Sequence, residues 1–204
     1  VEAYDPLTDA WTQLSAMPAN RHMHGGATLD GKIYVMGGGG DGSGALSTVD
    51  VYDPQADSWQ PVADMATARD SFAAAAAGGK IYAIGGDGGD AIATVEAFDP
   101  QLGAWAGVAS MSTHRKFHAA AVVDGKIYAI GGLDSDAEPL DLVEVYDPQA
   151  DSWQQVAPMP HGRCLHAAAA MGGKIYVSGG CTGDENLTTN VVVFDPQANT
   201  WTEL

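Results

Sequence analysis

The sequence predicts an all-β protein built from repeated four-stranded units, the pattern of a β-propeller. The first observation behind this prediction is a tryptophan that recurs at intervals of 48, 46, 48 and 48 residues. The second is a Gly-Gly pair, an arginine and an aromatic–Asp–Pro sequence that keep the same period, so the period defines a structural unit. The tryptophans are Trp11, Trp59, Trp105, Trp153 and Trp201, the glycine pairs begin at Gly37, Gly85, Gly131 and Gly179, and the arginines are Arg21, Arg69, Arg115 and Arg163.

The last unit divides into four short strands. Residues 165–171 form the first strand, which ends at Gly172-Gly173, a two-residue turn that needs positive φ at both positions. The second strand starts with residues 174–177, and the third covers residues 191–194. The fourth begins near Trp201. Four antiparallel strands per unit are typical of a propeller blade.

Alanine-rich segments such as residues 73–77 and 167–170 favour a helix by composition. They are too short for a helix between the arginine and the glycine turn, and the aligned residues 118–123 have the composition of a strand. We expect a strand of small residues at the innermost position, where neighbouring blades converge and leave little volume.

The two halves of the unit occur in unequal numbers. The strand three–four half occurs five times, first at residues 1–14, and the strand one–two half occurs four times. We therefore expect one propeller domain over residues 1–204 that is a fragment of a ring of about five to seven blades. Its open end would expose an apolar sheet face and favour self-association. The expected units are an N-terminal half-blade at 1–14 and four complete four-stranded blades at about 15–62, 63–108, 109–156 and 157–204.

The acidic balance limits the possible partners. The chain has 26 Asp and Glu against 9 Lys and Arg, and the resulting formal net charge of −17 repels nucleic acid and anionic membrane surfaces. There is no apolar run of about 18 residues and no charged-then-apolar leader, so we expect neither a membrane span nor a signal peptide. Two cysteines do not form a disulfide framework, which favours a reducing compartment such as the cytoplasm.

Five features of one repeat resemble the kelch motif: Gly131-Gly132, the Glu-Val-Tyr-Asp-Pro sequence of residues 144–148, Trp153, Met159-Pro160 and Arg163. The resemblance covers essentially the whole chain and implies a kelch-type β-propeller. The repeats are similar to those of kelch-like adaptor proteins and of bacterial kelch proteins. Resemblance to the adaptors implies a substrate-docking propeller that serves a cullin-type ubiquitin ligase, although the BTB and BACK domains needed for that role are not in these residues.

We therefore expect a module that binds a protein or peptide partner and is not an enzyme. Positions that recur in every blade are scaffold, and positions that differ between blades can carry function. The alternative is a carbohydrate-acting enzyme similar to a kelch-type sialic-acid mutarotase, because acidic loop residues around a channel mouth can do acid–base work. Galactose oxidase, a further enzyme with a similar propeller, needs tyrosine and histidine ligands for copper. The candidate tyrosines here all lie in the repeated second strand: Tyr34, Tyr82, Tyr128 and Tyr176.

Histidines occur at the head of the first strand in three blades. They are His24, His118 and His166. The fourth equivalent is Phe72, so the position favours packing over a metal ring. The other histidines lie in variable loops without the acid and nucleophile that a triad requires. They are His22, His114 and His161. We therefore predict no metal site, no catalytic residue and no cofactor.

Antiparallel strands place the long four-to-one and two-to-three loops at one end of the propeller and the tight turns at the other. Recognition is expected at the end with long, variable loops. The candidate contacts are an inner arc of arginines, the residues that follow them, and an acidic outer rim. The arc is Arg21, Arg69, Arg115 and Arg163; the following residues are His22, Asp70, Lys116 and Cys164; the rim is Asp41, Asp87, Asp134 and Asp184, with Asp90, Asp136, Glu138 and Glu185.

The arginine arc also predicts a ligand. Resemblance to the kelch-like adaptors implies that peptides are read at this mouth by arginines in and beside strand one. Guanidinium groups bind carboxylates as a fork, so we expect a short peptide with acidic residues at its centre and basic or polar flanks. The alternative is that the recurring arginines pair with neighbouring blades as scaffold.

Two cysteines lie at equal distances from the last Gly-Gly turn. Counting outward from Gly172-Gly173 places Cys164 opposite Cys181 at a non-hydrogen-bonded position. A strained disulfide or a reduced pair is compatible with this position.

Overall fold

The computed structural model describes residues 1–42, 44–183 and 186–204. In this part of the chain no helix has the length and apolar character needed to cross a membrane. The described residues form eighteen short β-strands. In chain order they are β1 Glu2–Asp5, β2 Ala10–Gln13, β3 Gly25–Leu29, β4 Lys32–Met36, β5 Val49–Asp53, β6 Ser58–Val62, β7 Ala73–Ala77, β8 Lys80–Ile84, β9 Val95–Asp99, β10 Ala104–Val108, β11 Ala119–Val123, β12 Lys126–Ile130, β13 Val143–Asp147, β14 Ser152–Val156, β15 Ala167–Met171, β16 Lys174–Ser178, β17 Val191–Asp195 and β18 Thr200–Glu203.

The strands form five antiparallel sheets in which sequence neighbours pair with one another. Strands β1 and β2 form a two-stranded half-blade. Blade 1 contains β3 to β6, blade 2 contains β7 to β10, blade 3 contains β11 to β14, and blade 4 contains β15 to β18. The predicted all-β fold, with four four-stranded blades and an N-terminal half-blade, is confirmed.

The alanine-rich segments are the innermost strands, as expected from their small volume. Strand β7 packs between β3 and β11, and β11 packs between β7 and β15, so the blades follow one another around a central channel. Ala73, Ala75 and Ala77 are buried in blade 2. The first strand of blade 4 is shorter than expected, since β15 begins at Ala167 and Leu165 lies before it.

The tight turns at the far end of the channel repeat from blade to blade. Asp30 and Gly31 have φ values of 50° and 74°, as a type I′ hairpin requires. The aromatic–Asp–Pro unit also has the predicted structural role, because Asp53 Oδ1 accepts the backbone N–H of Gln55 at 2.9 Å. A lysine at the start of each second strand pairs with this aspartate, for example Lys126 with Asp147 at 3.0 Å.

The recurring tryptophans connect each blade to the segment that enters it. Trp153 Nε1 donates to Ala109 O at 2.8 Å, and the Ala109 N–H donates to Asp151 Oδ1 at 2.8 Å. Asp151 also accepts the Tyr146 hydroxyl at 2.7 Å. These bonds attach the connection from blade 2 to the outer strand of blade 3, and the tryptophan bond recurs in the other blades, for example from Trp201 Nε1 to Ala157 O at 2.8 Å.

Candidate functional site

The long loops of the four blades meet at one end of the channel, which we call the mouth. In each blade the residue two positions before the first strand has a left-handed φ: 53° for Met23, 53° for Ser71, 55° for Phe117 and 55° for Leu165. Such a conformation costs a non-glycine residue on the order of 1–3 kcal/mol. Backbone hydrogen bonds join these residues in series: the Ser71 N–H donates to Met23 O, the Phe117 N–H to Ser71 O, and the Leu165 N–H to Phe117 O, at 2.8–3.0 Å. This chain of hydrogen bonds links the four blades around the mouth.

Three of these left-handed residues give the mouth an apolar surface. Leu165 is 64% exposed and Met23 is 54% exposed, while Phe117 is half-buried. We call these three the apolar mouth residues. Together with Ser71 and the four residues that follow them, they line a cavity of about 320 Å³. The following residues are His24, Phe72, His118 and His166.

Two histidines in this cavity wall are buried and lack hydrogen-bond partners. His118 is 7% exposed, His166 is 9% exposed, and no described residue is a hydrogen-bond partner of Nδ1 or Nε2 in either ring. Burial, with Arg115 and His166 nearby, holds the pKa of His118 well below its ordinary value. Burial lowers the pKa of His166 to about 4. Both imidazoles are therefore neutral near pH 7, when each ring has one donor and one acceptor nitrogen.

The arginine before each first strand reaches inward, away from the mouth surface. Arg69 is fully buried. Its Nη1 donates to Gly85 O at 2.8 Å and to Thr94 O at 3.0 Å. Its Nη2 donates to Glu96 Oε1 at 2.6 Å. The guanidinium therefore joins the ends of the second and third strands of its own blade, and it adds a second donor to Thr94 O, which also accepts the Gly85 N–H at 3.1 Å.

The other blades repeat this arrangement with different acids. Arg115 pairs with Glu144 at 2.6 Å and Arg21 pairs with Asp50. Within the part of the chain that the structure describes, Arg163 donates to two backbone carbonyls and to no carboxylate: Gly179 O at 3.2 Å and Asn190 O at 3.4 Å. Valine at position 192 takes the place of the acid in blade 4.

The residues that follow the arginines lie in cross-strand pairs at the mouth. The pairs are His22 with Gly39, Asp70 with Asp87, Lys116 with Leu133, and Cys164 with Cys181. Lys116 reaches into the preceding blade and pairs with Asp87 at 2.6 Å. His22 is exposed, and Asp70 is half-buried and accepts the Ser71 hydroxyl at 2.6 Å. This position therefore differs chemically in every blade.

The predicted acidic rim lies in the loops between second and third strands. Asp41 is exposed, and its carboxylate accepts the Asn20 amide at 3.2 Å. Asp134 accepts the backbone N–H groups of Asp136 and Glu138, both at 2.9 Å, which fixes the shape of its loop. Asp184 and Glu185, which were also predicted to lie on the rim, fall outside the described residues. Among the described residues, no group of three or more His, Cys, Asp or Glu side chains is placed to hold a metal ion.

Comparison with known proteins assigns the family. The model of the KLHDC2/KLHL20/DRC7 Kelch-repeats domain matches residues 1–132, more than half of the chain. The chain belongs to the kelch-repeat family. The Kelch motif model also matches residues 114–160 and 162–204. A segment of 37 residues is 57% identical to Kelch-like protein 15 of Danio rerio, and it covers 18% of this chain and 6% of that protein. Kelch-repeat domains generally mediate protein–protein interaction.

The predicted arginine contacts need correction in this kelch propeller. Arg69, Arg115 and Arg163 are 0% exposed, and the Arg21 side chain is also buried. Their hydrogen bonds go to carbonyls and carboxylates of the same blade, so the guanidinium groups are not presented at the mouth. The expectation of a peptide with an acidic centre depended on these groups, so it loses their support and stays a prediction. The alternative of pairing between blades is also incorrect, because the partners lie within one blade.

The predicted geometry of the two cysteines is partly wrong. Cys164 and Cys181 do face each other, and both thiols are free. They exchange two backbone hydrogen bonds, at 2.9 and 2.8 Å, so they occupy a hydrogen-bonded position. Left-handed φ values at Leu165, Gly179 and Gly180 interrupt the ladder and change the hydrogen-bonding order expected from the turn. Cys164 is also buried, so only Cys181 is partly accessible at the kelch mouth.

The apolar mouth residues were not predicted as contacts from the sequence, because the recurring residue of the kelch motif is the arginine two positions earlier. One signal in the sequence marks them: the position holds Met23, Ser71, Phe117 and Leu165, four different residue types within an otherwise repeated segment. Variation between blades at a fixed position indicates function more strongly than recurrence does.

Proposed function

We propose that this kelch propeller binds a protein partner through a peptide segment or loop that docks on the mouth. The observation that supports this most directly is the exposure of Met23 and Leu165, two large apolar side chains, at the entrance of a cavity. Exposed apolar surface beside a cavity is typical of an interaction site. The strained backbone of the same residues fits this role, because left-handed non-glycine residues cluster at functional sites.

The blade-specific residues around the cavity supply the polar part of the proposed interface. His22, Asp70 and Lys116 each directly precede a residue of the cavity wall, and three rim carboxylates lie in loops at the same end of the propeller: Asp41, Asp87 and Asp134. Interfaces commonly combine an apolar centre with a polar rim. The mouth has this arrangement, with a different set of contacts offered by each blade.

Selection from a displayed library of random short peptides tests this proposal, with wild type, Leu165→Ser and Leu102→Ser as targets. Leu102 is 78% exposed in the tight turn between β9 and β10, at the end of the propeller away from the mouth, so Leu102→Ser is a control with the same substitution. We expect wild type and Leu102→Ser to enrich the same peptides and Leu165→Ser to lose them. Equal enrichment by all three proteins, in folded form, would place binding elsewhere. Thermal stabilisation by a small sugar, without peptide enrichment, would instead favour the carbohydrate-acting alternative.

A further inference from the structure

The charges at the mouth restrict the partner, because every basic side chain is already engaged within the chain. Eight of the nine Lys and Arg side chains pair with carboxylates, and Arg163 donates to two carbonyls. Four of the five lysines lie at the tight-turn end of the propeller: Lys32, Lys80, Lys126 and Lys174. The fifth, Lys116, is neutralised by Asp87 at 2.6 Å. Among the described residues, an acidic partner segment would therefore meet no exposed cation at the mouth that lacks a carboxylate partner, because Arg163, which lacks one, is buried.

Among the described residues, several carboxylates at the same end have no cationic partner. Asp90, Asp136 and Glu138 are exposed in the loops of blades 2 and 3, and Asp41 accepts the neutral amide of Asn20. With a formal net charge of −17, the molecule adds a long-range field of the same sign. Electrostatic complementarity at this face therefore requires positive charge on the partner.

The cavity at the mouth favours an apolar group on the partner, in contrast to the charged loops. Its volume of about 320 Å³ lies at the lower limit of ligand pockets, which hold about 300–1,000 Å³. Met23, Phe117, Phe72 and Leu165 form much of its wall, so a large aliphatic or aromatic side chain suits it. The rings of His118 and His166 complete this wall, and their nitrogens are buried.

Resting on the proposed function, we propose that the partner segment carries a large apolar residue with lysine or arginine on both sides. The apolar residue enters the cavity between the apolar mouth residues. The basic flanks lie over the carboxylates of the two-to-three loops. The surface that receives it is continuous across blades 1 to 4.

The composition of the selected peptides tests this inference separately from the proposed function. We expect peptides enriched on wild type to have a net positive charge and a central Leu, Ile, Met, Phe or Trp. Peptides that are net negative, or that lack a large apolar residue, would overturn the inference while leaving peptide binding at the mouth intact. If Leu165→Ser enriches the same peptides as wild type, the proposed function itself fails.

Fluorescence anisotropy with one synthetic peptide of each type then separates the two contributions. The probes are a Lys-flanked Phe peptide, the same peptide with Ser for Phe, and a Glu-flanked Phe peptide. We expect Ser to weaken binding by at least about tenfold, because burial of the ring is lost. Binding of the Lys-flanked probe should weaken as salt rises. Preference for the Glu-flanked probe contradicts the inference.

Charge variants of equal size locate the basic flanks. Asp136→Asn with Glu138→Gln removes two charges at the mouth, and Asp30→Asn with Asp124→Asn removes two at the tight-turn end. Asparagine tolerates the left-handed φ of 50° and 51° at the control positions. We expect only the mouth pair to weaken the Lys-flanked probe and flatten its salt dependence. Equal effects of the two pairs would mean that net charge, and not the rim, attracts the peptide.

Discussion

Among single residues, the recurring arginines combine full burial with a full charge. In each blade the guanidinium donates to two carbonyls at the point where the second and third strands separate, such as those of Gly85 and Thr94. A buried guanidinium without hydrogen bonds would be costly, and these bonds offset that cost. The recurrence of the arginine was visible in the sequence. The inward direction of its side chain was not, because it depends on how the strands separate after the glycine pair.

Blades 3 and 4 give a matched test of the buried ion pair. Arg115→Met leaves Glu144 buried without a cation, and we expect a loss of about 3–5 kcal/mol in the free energy of unfolding. Arg163→Met leaves only the carbonyls of Gly179 and Asn190, and we expect the smaller loss, about 1–3 kcal/mol. Urea unfolding followed by tryptophan fluorescence measures both. Equal losses would show that the carboxylate adds nothing to the carbonyl contacts.

The two buried histidines make stability depend on pH. The unfolded imidazole titrates near pH 6.5, and burial lowers the folded pKa, to about 4 for His166. Between these values the unfolded chain binds more protons than the folded chain, so the free energy of unfolding falls as pH drops below about 6.5. We expect up to about 1.4 kcal/mol per pH unit for each histidine.

Phenylalanine is a suitable replacement because Phe72 occupies the same position in blade 2. Thermal unfolding between neutral pH and pH 5 should show a shallower decline for His118→Phe with His166→Phe than for wild type. His114→Gln, at an exposed loop position, should keep the wild-type slope. An unchanged slope in the double variant would assign the acid sensitivity to other groups.

Hairpins and strands show how far the sequence predicts the elements. The turn residues, the aromatic–Asp–Pro unit and the alanine-rich inner strands were predictable, because each depends on local backbone chemistry. The position of Leu165 was not. It was assigned to a strand, whereas the contact with Phe117 of the neighbouring blade holds it in a left-handed conformation before β15 begins. The exposure of the apolar mouth residues and the hydrogen-bonded pairing of Cys164 with Cys181 both depend on this left-handed conformation.

Substitutions at two glycines with nearly the same φ distinguish the effect of backbone conformation on stability from the effect of packing. Gly78 has φ +57° and no atom within 4 Å of a Cβ, whereas a Cβ on Gly85, at φ +60°, would lie 2.7 Å from Arg115 O and 3.0 Å from His118 Cε1. Asparagine suits the first position of a type I′ turn. Gly78→Asn should therefore stabilise by about 0.4–1 kcal/mol, and Gly85→Asn should destabilise by about 1–3 kcal/mol. Differential scanning calorimetry measures whether each substitution raises or lowers stability. A Gly85→Asn protein as stable as wild type would mean that Arg115 and His118 move to accommodate the new side chain at low cost.

Across the whole molecule, the blades differ in how well their inner strands are covered. The positions of Ala121 and Val123 in blade 3 are buried against Ile175 and Val177 of blade 4. The equivalent positions in blade 4, Ala169 and Met171, are exposed. The unequal numbers of half-repeats predict an uncovered face in these 204 residues. Such a face is apolar because the equivalent positions of the other repeats pack against a neighbouring blade.

This exposed face predicts self-association that depends on salt. Apolar contact favours pairing through β15, while a net charge of −17 on each chain opposes it. Because salt screens the repulsion and leaves the apolar contact, we expect sedimentation velocity to show monomers at low ionic strength and larger species as salt and protein concentration rise. Ala169→Asp adds a charge to the exposed face and should suppress association. Ala150→Asp adds the same charge at an exposed tight turn in blade 3 and should suppress it far less. Monomers at every salt concentration, or equal suppression by the two variants, would show that the face of β15 does not mediate contact between chains.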